Sequence, residues 1–289
     1  MKCPHRNCEA ENPSDAIYCH MCGRKMNKMP VWPFVVGGIA AIVVAVGILA
    51  LAPHSEDKMK LTVDGVSFTM IKVDGGSFYM GATYEQESEA MWWEKPVHYV
   101  TLSGYYIGET EVTQALWKAV MGHNPSRFVG DNFPVDCVSW DDCVQFCHAL
   151  SQRTGKRFRL PTEAEWEFAA RGGNKSRHYK YSGSNDLYDV AWCVDNSDSI
   201  AHPVKVKKPN ELGIYDMAGN AWEWCNDYWI ATFEKYAENN PQGPSSGEYR
   251  VHRGGGWLNR PTHCRISYRY KALQSRRNDF RGFRLVMED

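Results

Sequence analysis

The chain has 289 residues, 43% hydrophobic and 23% charged, with a formal net charge of −1. This is an ordinary composition for folded protein, and the lack of a basic excess argues against a nucleic-acid binder. Aromatic residues reach 13%, with 11 Trp and 15 Tyr, and Gly and Pro are scattered throughout, which predicts a loop-rich domain pinned by aromatic anchors rather than a helical bundle.

The chain opens on four of its ten cysteines: Cys3 and Cys8 as C-x4-C, then Cys19 and Cys22 as C-x2-C. Four soft thiolates close a tetrahedral shell around zinc, and a segment this short has too little core to fold without such a staple. His5 and His20 are substitute ligands, and Gly23 suits the turn behind the last sulfur. The competing reading is a disulfide pair, which a reducing cytoplasm disfavours. Residues 1–28 are therefore read as a zinc-ribbon-like module with a structural zinc ion and no open coordination position, suited to docking a cytoplasmic partner.

Residues 29–52 follow as a transmembrane helix. The run from Val31 to Ala52 contains no charged residue, and at 1.5 Å per residue it can cross a hydrocarbon core of roughly 30 Å. A signal peptide would have a shorter apolar core nearer the start and a small-residue cleavage site after it. Arg24, Lys25 and Lys28 precede the span, whereas Lys58 and Lys60 beyond it are offset by Glu56 and Asp57. The positive-inside rule puts the N-terminus in the cytoplasm and the C-terminal part outside, as a single-pass membrane protein.

A linker over 53–60 leads to one sizeable domain over 61–289. "VSFTMIKVDGGSFYMG" alternates as a strand does, turns at Gly75-Gly76 and sets Phe78 and Met80 on one face; "HYVTLSGYYIGETEVT" is a second strand region. Three helices follow. The first starts after Thr113 and stops at Gly122. The second has Ser139 as N-cap and Cys143, Phe146, Cys147 and Leu150 on one apolar stripe. The third carries a Thr162/Glu165 capping box and stops at Gly172. Beyond it come loops and short strands anchored by Trp192, Tyr215, Trp222, Trp224 and Trp257.

The segments "GGSFYMG", "YIGETEVT", "NPSRF", "PVDCVSWDD", "RLPTEAEWEFAARGG", "KPNELGIYDMAGNAWEWCND", "VHRGGGW" and "RGFRL" occur in this order. Together they resemble the formylglycine-generating enzyme, or sulfatase-modifying factor, family over nearly all of Leu61 to Leu285. The resemblance implies an α+β, C-type-lectin-like fold. It also implies oxidation of a cysteine in sulfatase polypeptides to formylglycine by oxygen at a copper ion held between two cysteines. Carried onto this sequence, Gly254 and Gly255 match the family's glycines, Gly256 stands where it has serine, Asn259 stands at the first copper cysteine and Cys264 matches the second.

Asn is a poor replacement for thiolate on Cu(I), so copper and oxidase activity are expected to be lost. Cys264, the one remaining catalytic candidate, is read as a buried small side chain in preference to a nucleophile. Cys193 and Cys225 are the thiols left to approach it in space. Arg260, Arg265 and Arg269 form either an anion-binding rim or, in the preferred reading, stacked side chains paired with the acids of "TEAEWE". The resemblance also implies a structural calcium on Asp216, Glu223 and the carbonyls of Gly219 and Ala221, against which stands a salt-bridged turn.

No Walker loop, H-E-x-x-H or G-x-S-x-G is present. Two functions remain: a non-oxidase whose outer domain binds a protein, peptide or glycan, and a copper-dependent formylglycine-generating oxidase with an altered site.

Overall fold

The structure, a computed structural model, describes residues 57–233 and 238–288. The zinc module expected at 1–28 and the span expected at 29–52 lie outside the described residues; among those described, no helix is long and apolar enough to cross a membrane.

The first sheet begins with a hairpin. Lys58–Val63 (β1) and Val66–Val73 (β2) pair antiparallel across a two-residue turn, Asp64-Gly65, in which both residues have positive φ. That geometry matches the right-handed twist of the flanking strands. β1 takes up Lys58–Lys60, so the last residues assigned to the linker belong to the sheet. Gly76–Met80 (β3) and His98–Leu102 (β4) form a separate ribbon, with Met80 buried and Phe78 half-buried against the core. Tyr105–Gly108 (β5) returns to β2.

Gln114–Met121 (α1), Trp140–Thr154 (α2), Phe158–Arg159 (β6) and Glu163–Ala170 (α3) follow. The three helices begin where the caps predict: the hydroxyls of Thr113, Ser139 and Thr162 accept the N–H groups of Leu116, Asp142 and Glu165, and the latter two positions form reciprocal capping boxes. α2 buries Cys143, Phe146, Cys147 and Leu150, with Phe146 stacked 5.2 Å from Trp117. α3 stops at Ala170, with Arg171 as its cap and Gly172 beyond. All eight of its residues are buried, including three glutamates, so it is a core helix and not an amphipathic surface one.

Leu187–Val190 (α4) is a single turn that sequence periodicity does not reveal. A second sheet is formed by Trp222–Tyr228 (β7), Tyr249–Arg253 (β8), Arg269–Leu273 (β9) and Arg281–Gly282 (β10), in the order β10-β7-β8-β9. Val286–Glu288 (β11) then inserts between β5 and β6, so the end of the chain completes the sheet opened by β1, in the order β1-β2-β5-β11-β6.

The acids of α3 decide what the second sheet packs against. Glu163 takes both Nε and Nη2 of Arg269, at 2.6 and 2.5 Å, and lies 3.0 Å from Nε of Arg253. Glu167 pairs with Arg253 and, at 2.8 Å, with Arg171. Removing one carboxylate from such a group would leave a buried guanidinium uncompensated.

Candidate functional site: the turn from Gly254 to Cys264

β8 ends on Arg253, whose guanidinium is held by α3, and the chain then turns through Gly254, Gly255 and Gly256 into a single 3-10 turn over Pro261–Cys264. Gly255 has φ 73°, and a Cβ there would lie 2.9 Å from both the Cys264 sulfur and the His263 carbonyl. The missing side chain is what lets these two stretches touch.

Cys264 is fully buried. Its side chain packs in an apolar cluster with Tyr181, Leu187, Val190, Ala191, Cys193 and Ala218, and its sulfur lies 4.0 Å from the Arg260 carbonyl. Burial pushes the thiol far above its ordinary range, and Cys193 and Asp195 act in the same direction. An activated cysteine needs the opposite surroundings, electropositive and partly exposed. Cys193 is the neighbouring thiol and is likewise pushed up by burial. Cys225 belongs to the separate main core, with Trp166 and Val251.

Asn259 points elsewhere. Its side-chain oxygen accepts a 2.6 Å hydrogen bond from Trp222 Nε1, and its Nδ2 lies 3.3 Å from His263 Nδ1. Its backbone carbonyl accepts the Val194 N–H at 2.9 Å, tying this turn to the turn that follows Cys193. The amide serves as a structural hub. With one side chain engaged by Trp222 and the other a protonated thiol in an apolar pocket, Asn259 and Cys264 do not offer a donor pair for Cu(I).

Arg269 pairs with Glu163 of "TEAEWE" and stacks 4.4 Å from Trp229, as the preferred reading has it. Arg265 differs: its partner is Glu94, at 2.7 and 2.9 Å, outside that motif. Arg260 is exposed.

The residues implied for calcium are brought together, but Glu223 is already engaged by other side chains. Glu223 is fully buried; Arg284 binds it through Nε and Nη2 at 2.5 and 2.6 Å, and Trp166 Nε1 donates to it at 2.7 Å. Arg284 also donates to the carbonyls of Gly108 and Tyr215. Asp216 accepts the Lys205 N–H at 2.8 Å, while its other oxygen is buried against the Glu111 carboxyl, with which it shares a side-chain hydrogen bond. Gly219, at φ 73°, allows the turn to press against Trp192, whose carbonyl would lie 2.2 Å from a Cβ.

A guanidinium thus supplies the positive charge here, as in the salt-bridged turn, and the donor set does not fit a divalent cation without displacing it. Among the described residues no three His, Cys, Asp or Glu side chains converge as a metal site. Sequence reasoning missed Arg284 and Glu111. The signal for Arg284 was a charge wedged between Phe283 and Leu285 in "RGFRL".

Above the Cys264 cluster lies an open recess of about 540 Å³ lined by Tyr181, Asn185, Asp186, Leu187, Tyr188 and Pro261. Tyr181 and Leu187 belong to both, and Tyr188 is half exposed at its rim.

Comparison with known proteins places this arrangement. Residues 58–289 match the model of the sulfatase-modifying factor enzyme 1-like domain. The chaperone protein LppX of Paenibacillus barcinonensis is 33% identical over 271 residues, covering 76% of this chain and 90% of the relative. The formylglycine-generating enzyme of Streptomyces coelicolor is 31% identical over 275 residues, covering 72% and 84%. Among solved structures, variable protein 1 of Treponema denticola superposes with a TM-score of 0.73 at 35% identity, covering 80% of this chain and 99% of that one.

Proposed function

Because the chain belongs to the sulfatase-modifying factor family through residues 58–289, its chemistry turns on the two positions after the glycine triplet, and we propose that it is a binding member of that family without oxidase activity. The observation that carries this reading is the Asn259–Trp222 hydrogen bond: the residue aligned with a copper thiolate is an amide already engaged in holding the fold. A hard amide donor and a buried thiol do not make a Cu(I) site.

In this reading residues 29–52 anchor the protein in a membrane, with the zinc module of Cys3, Cys8, Cys19 and Cys22 on the cytoplasmic side. The outer domain grips a protein, peptide or glycan at the recess rimmed by Tyr188. A polypeptide is favoured, since a relative covered over 90% of its length carries the name chaperone. The aromatic, partly acidic lining offers flat apolar faces and hydrogen-bond acceptors to an extended chain.

The test is copper titration of the purified full-length protein, wild type and Cys264→Ser, with oxygen uptake measured on a cysteine-containing sulfatase peptide. The expected result is no tight Cu(I) binding that depends on Cys264 and no oxygen consumption. Formation of an aldehyde on the peptide would overturn the proposal. Metal analysis of the same preparation is expected to find one zinc per chain, lost on Cys19→Ser. The second reading, a copper oxidase, draws on one observation: Cys193 packs in the same cluster as Cys264 and is the second thiol it would need.

A further inference from the structure

Among the described residues seven arginines are buried: Arg171, Arg250, Arg253, Arg265, Arg269, Arg281 and Arg284. Five of them meet a glutamate, as described for Arg171, Arg253, Arg265, Arg269 and Arg284. Arg250 has no carboxylate partner, but it is sandwiched between the Trp140 and Tyr228 rings, at 3.7 and 3.4 Å, and donates to the Asn226 carbonyl. Arg281 has no carboxylate partner either. It lies 4.6 Å from the Trp224 ring and 5.7 Å from the Phe280 ring, and unlike Arg250 its Nε and Nη1 are both buried without a hydrogen-bond partner.

The surroundings of Arg281 are as unusual as its lack of partners. Strand register puts His252 opposite Trp224 on one side and Tyr270 on the other, and β10 sets Arg281 beside Trp222. His252 is buried, with ring centroids of Trp222, Trp224 and Tyr270 at 4.4, 5.7 and 5.8 Å, and the Lys271 backbone beside its ring supplies the polar contact that opposes burial. Burial and like charge act on both residues, Arg281 on His252 and Arg276 on Arg281, and the Cys143 side chain acts on Arg281 in the opposite direction. Tyr270 is half exposed and gives this face of the sheet an edge to solvent. A desolvated guanidinium without a counter-charge is costly, and the planar fork of an arginine matches an oxyanion. Arg284 and Arg269 show the fork in use, each gripping one carboxylate through Nε and Nη2.

We infer that Arg281 and His252 form a binding site for an oxyanion, on the face of the four-stranded sheet that carries Trp222, Trp224 and Tyr270. The site is separate from the Cys264 turn and stands whether or not the oxidase chemistry is lost. Its ligand is either a free inorganic anion or a carboxylate of an acidic polypeptide.

The experiment is thermal unfolding of the full-length protein in low-salt zwitterionic buffer at constant ionic strength, titrated separately with inorganic phosphate, acetate and a hexaglutamate peptide. Wild type is expected to show a saturable rise in Tm. Arg281→Gln, which removes an uncompensated buried charge, is expected to start no lower than wild type and to bind at least tenfold more weakly. Arg281→Lys keeps the charge without the fork and is expected to fall between the two, which keeps the test open if the first variant folds badly. Saturation by the peptide at lower concentration than by phosphate identifies a polypeptide carboxylate, and the reverse order a free anion. No saturable response in wild type, or an equal one in Arg281→Gln, would overturn the assignment.

Discussion

Trp222 donates its indole N–H to the side-chain oxygen of Asn259 over 2.6 Å, and that one bond ties the turn after the glycine triplet, where the proposed reading puts a missing copper thiolate, to the second sheet. Asn259→Cys restores the sulfur but orphans the indole donor. Leaving a largely buried donor unsatisfied costs roughly 1–3 kcal/mol. The variant is therefore expected to unfold at lower urea concentration than wild type and still to bind Cu(I) poorly, because the Cys264 thiol points into its own apolar cluster. Urea denaturation and Cu(I) competition titration check the two halves separately.

Thiol reactivity follows from the same placement. Cys193 and Cys264 are fully buried and held protonated, while Cys137 is only partly buried. With iodoacetamide at pH 8, neither Cys193 nor Cys264 is expected to label in the native protein over a period in which urea-unfolded chains label completely. Cys137 should be the first of the six described cysteines to react, and slowly, since burial and Asp136 push its thiol up to about 12. Peptide mass spectrometry reads each site. Rapid native labelling of Cys264 would mean that its pocket is open.

The buried ion pairs of α3 make a larger claim on stability. Glu163→Gln strands Arg269 and leaves Arg253 with Glu167 alone, and breaking a buried pair from one side costs about 3–5 kcal/mol. Asp64→Asn, at an exposed pair with Arg153, should change stability by less than about 1 kcal/mol. The contrast in denaturation midpoints between these two single-atom-scale changes measures how far the core depends on charge.

The helices were legible because their limits are local: Thr113, Ser139 and Thr162 cap with their own side chains, and the stripe on α2 has helical period. The site was legible only in part. The family motifs pointed to the turn, but Asn259's bond to Trp222 spans 37 residues and Arg284's grip on Glu223 spans 61. No periodicity encodes such pairings. They arise because α3 and the second sheet close over charges that must be matched once buried, and the sequence lists the charges without saying which meets which. His252 and Arg281 escaped notice for the same reason, as alternate positions on strands give no sign of which face will be covered.

Calcium gives a direct check on the Glu223–Arg284 pair. If the guanidinium supplies the positive charge, neither about 1–2 mM Ca²⁺, enough to load a weak extracellular-type site, nor excess chelator should change the Tm of the isolated domain of residues 58–289. In the full-length protein the chelator also attacks the proposed zinc module, so Ca²⁺ addition alone is the clean comparison there. A saturable rise in Tm on adding Ca²⁺ would show that the ion displaces Arg284.

Glu111 and Asp216 set a pH dependence of the opposite sign to an ordinary salt bridge. Burial pushes Asp216 up to about 6, and burial together with the charges of Asp216 and Glu223 pushes Glu111 up as well; Arg284 opposes both shifts. A carboxyl whose folded pKa lies above its unfolded value binds more protons when folded, so its contribution to stability rises as pH falls from about 6 toward the unfolded value near 4. Buried histidines act the other way over part of that range: His252, His98 and His263 are held neutral by burial, and each loses stability as pH falls through about 6.5. The total curve therefore mixes signs, and the informative quantity is a difference. Asp216→Asn keeps an acceptor for the Lys205 N–H and removes the charge. It is expected to be more stable than wild type at pH 7.5, with that advantage shrinking steadily as pH falls from 6.5 to 4.5. Urea denaturation of both proteins across this range gives the difference directly; an advantage that stays constant with pH would show that Asp216 is not protonated in the fold.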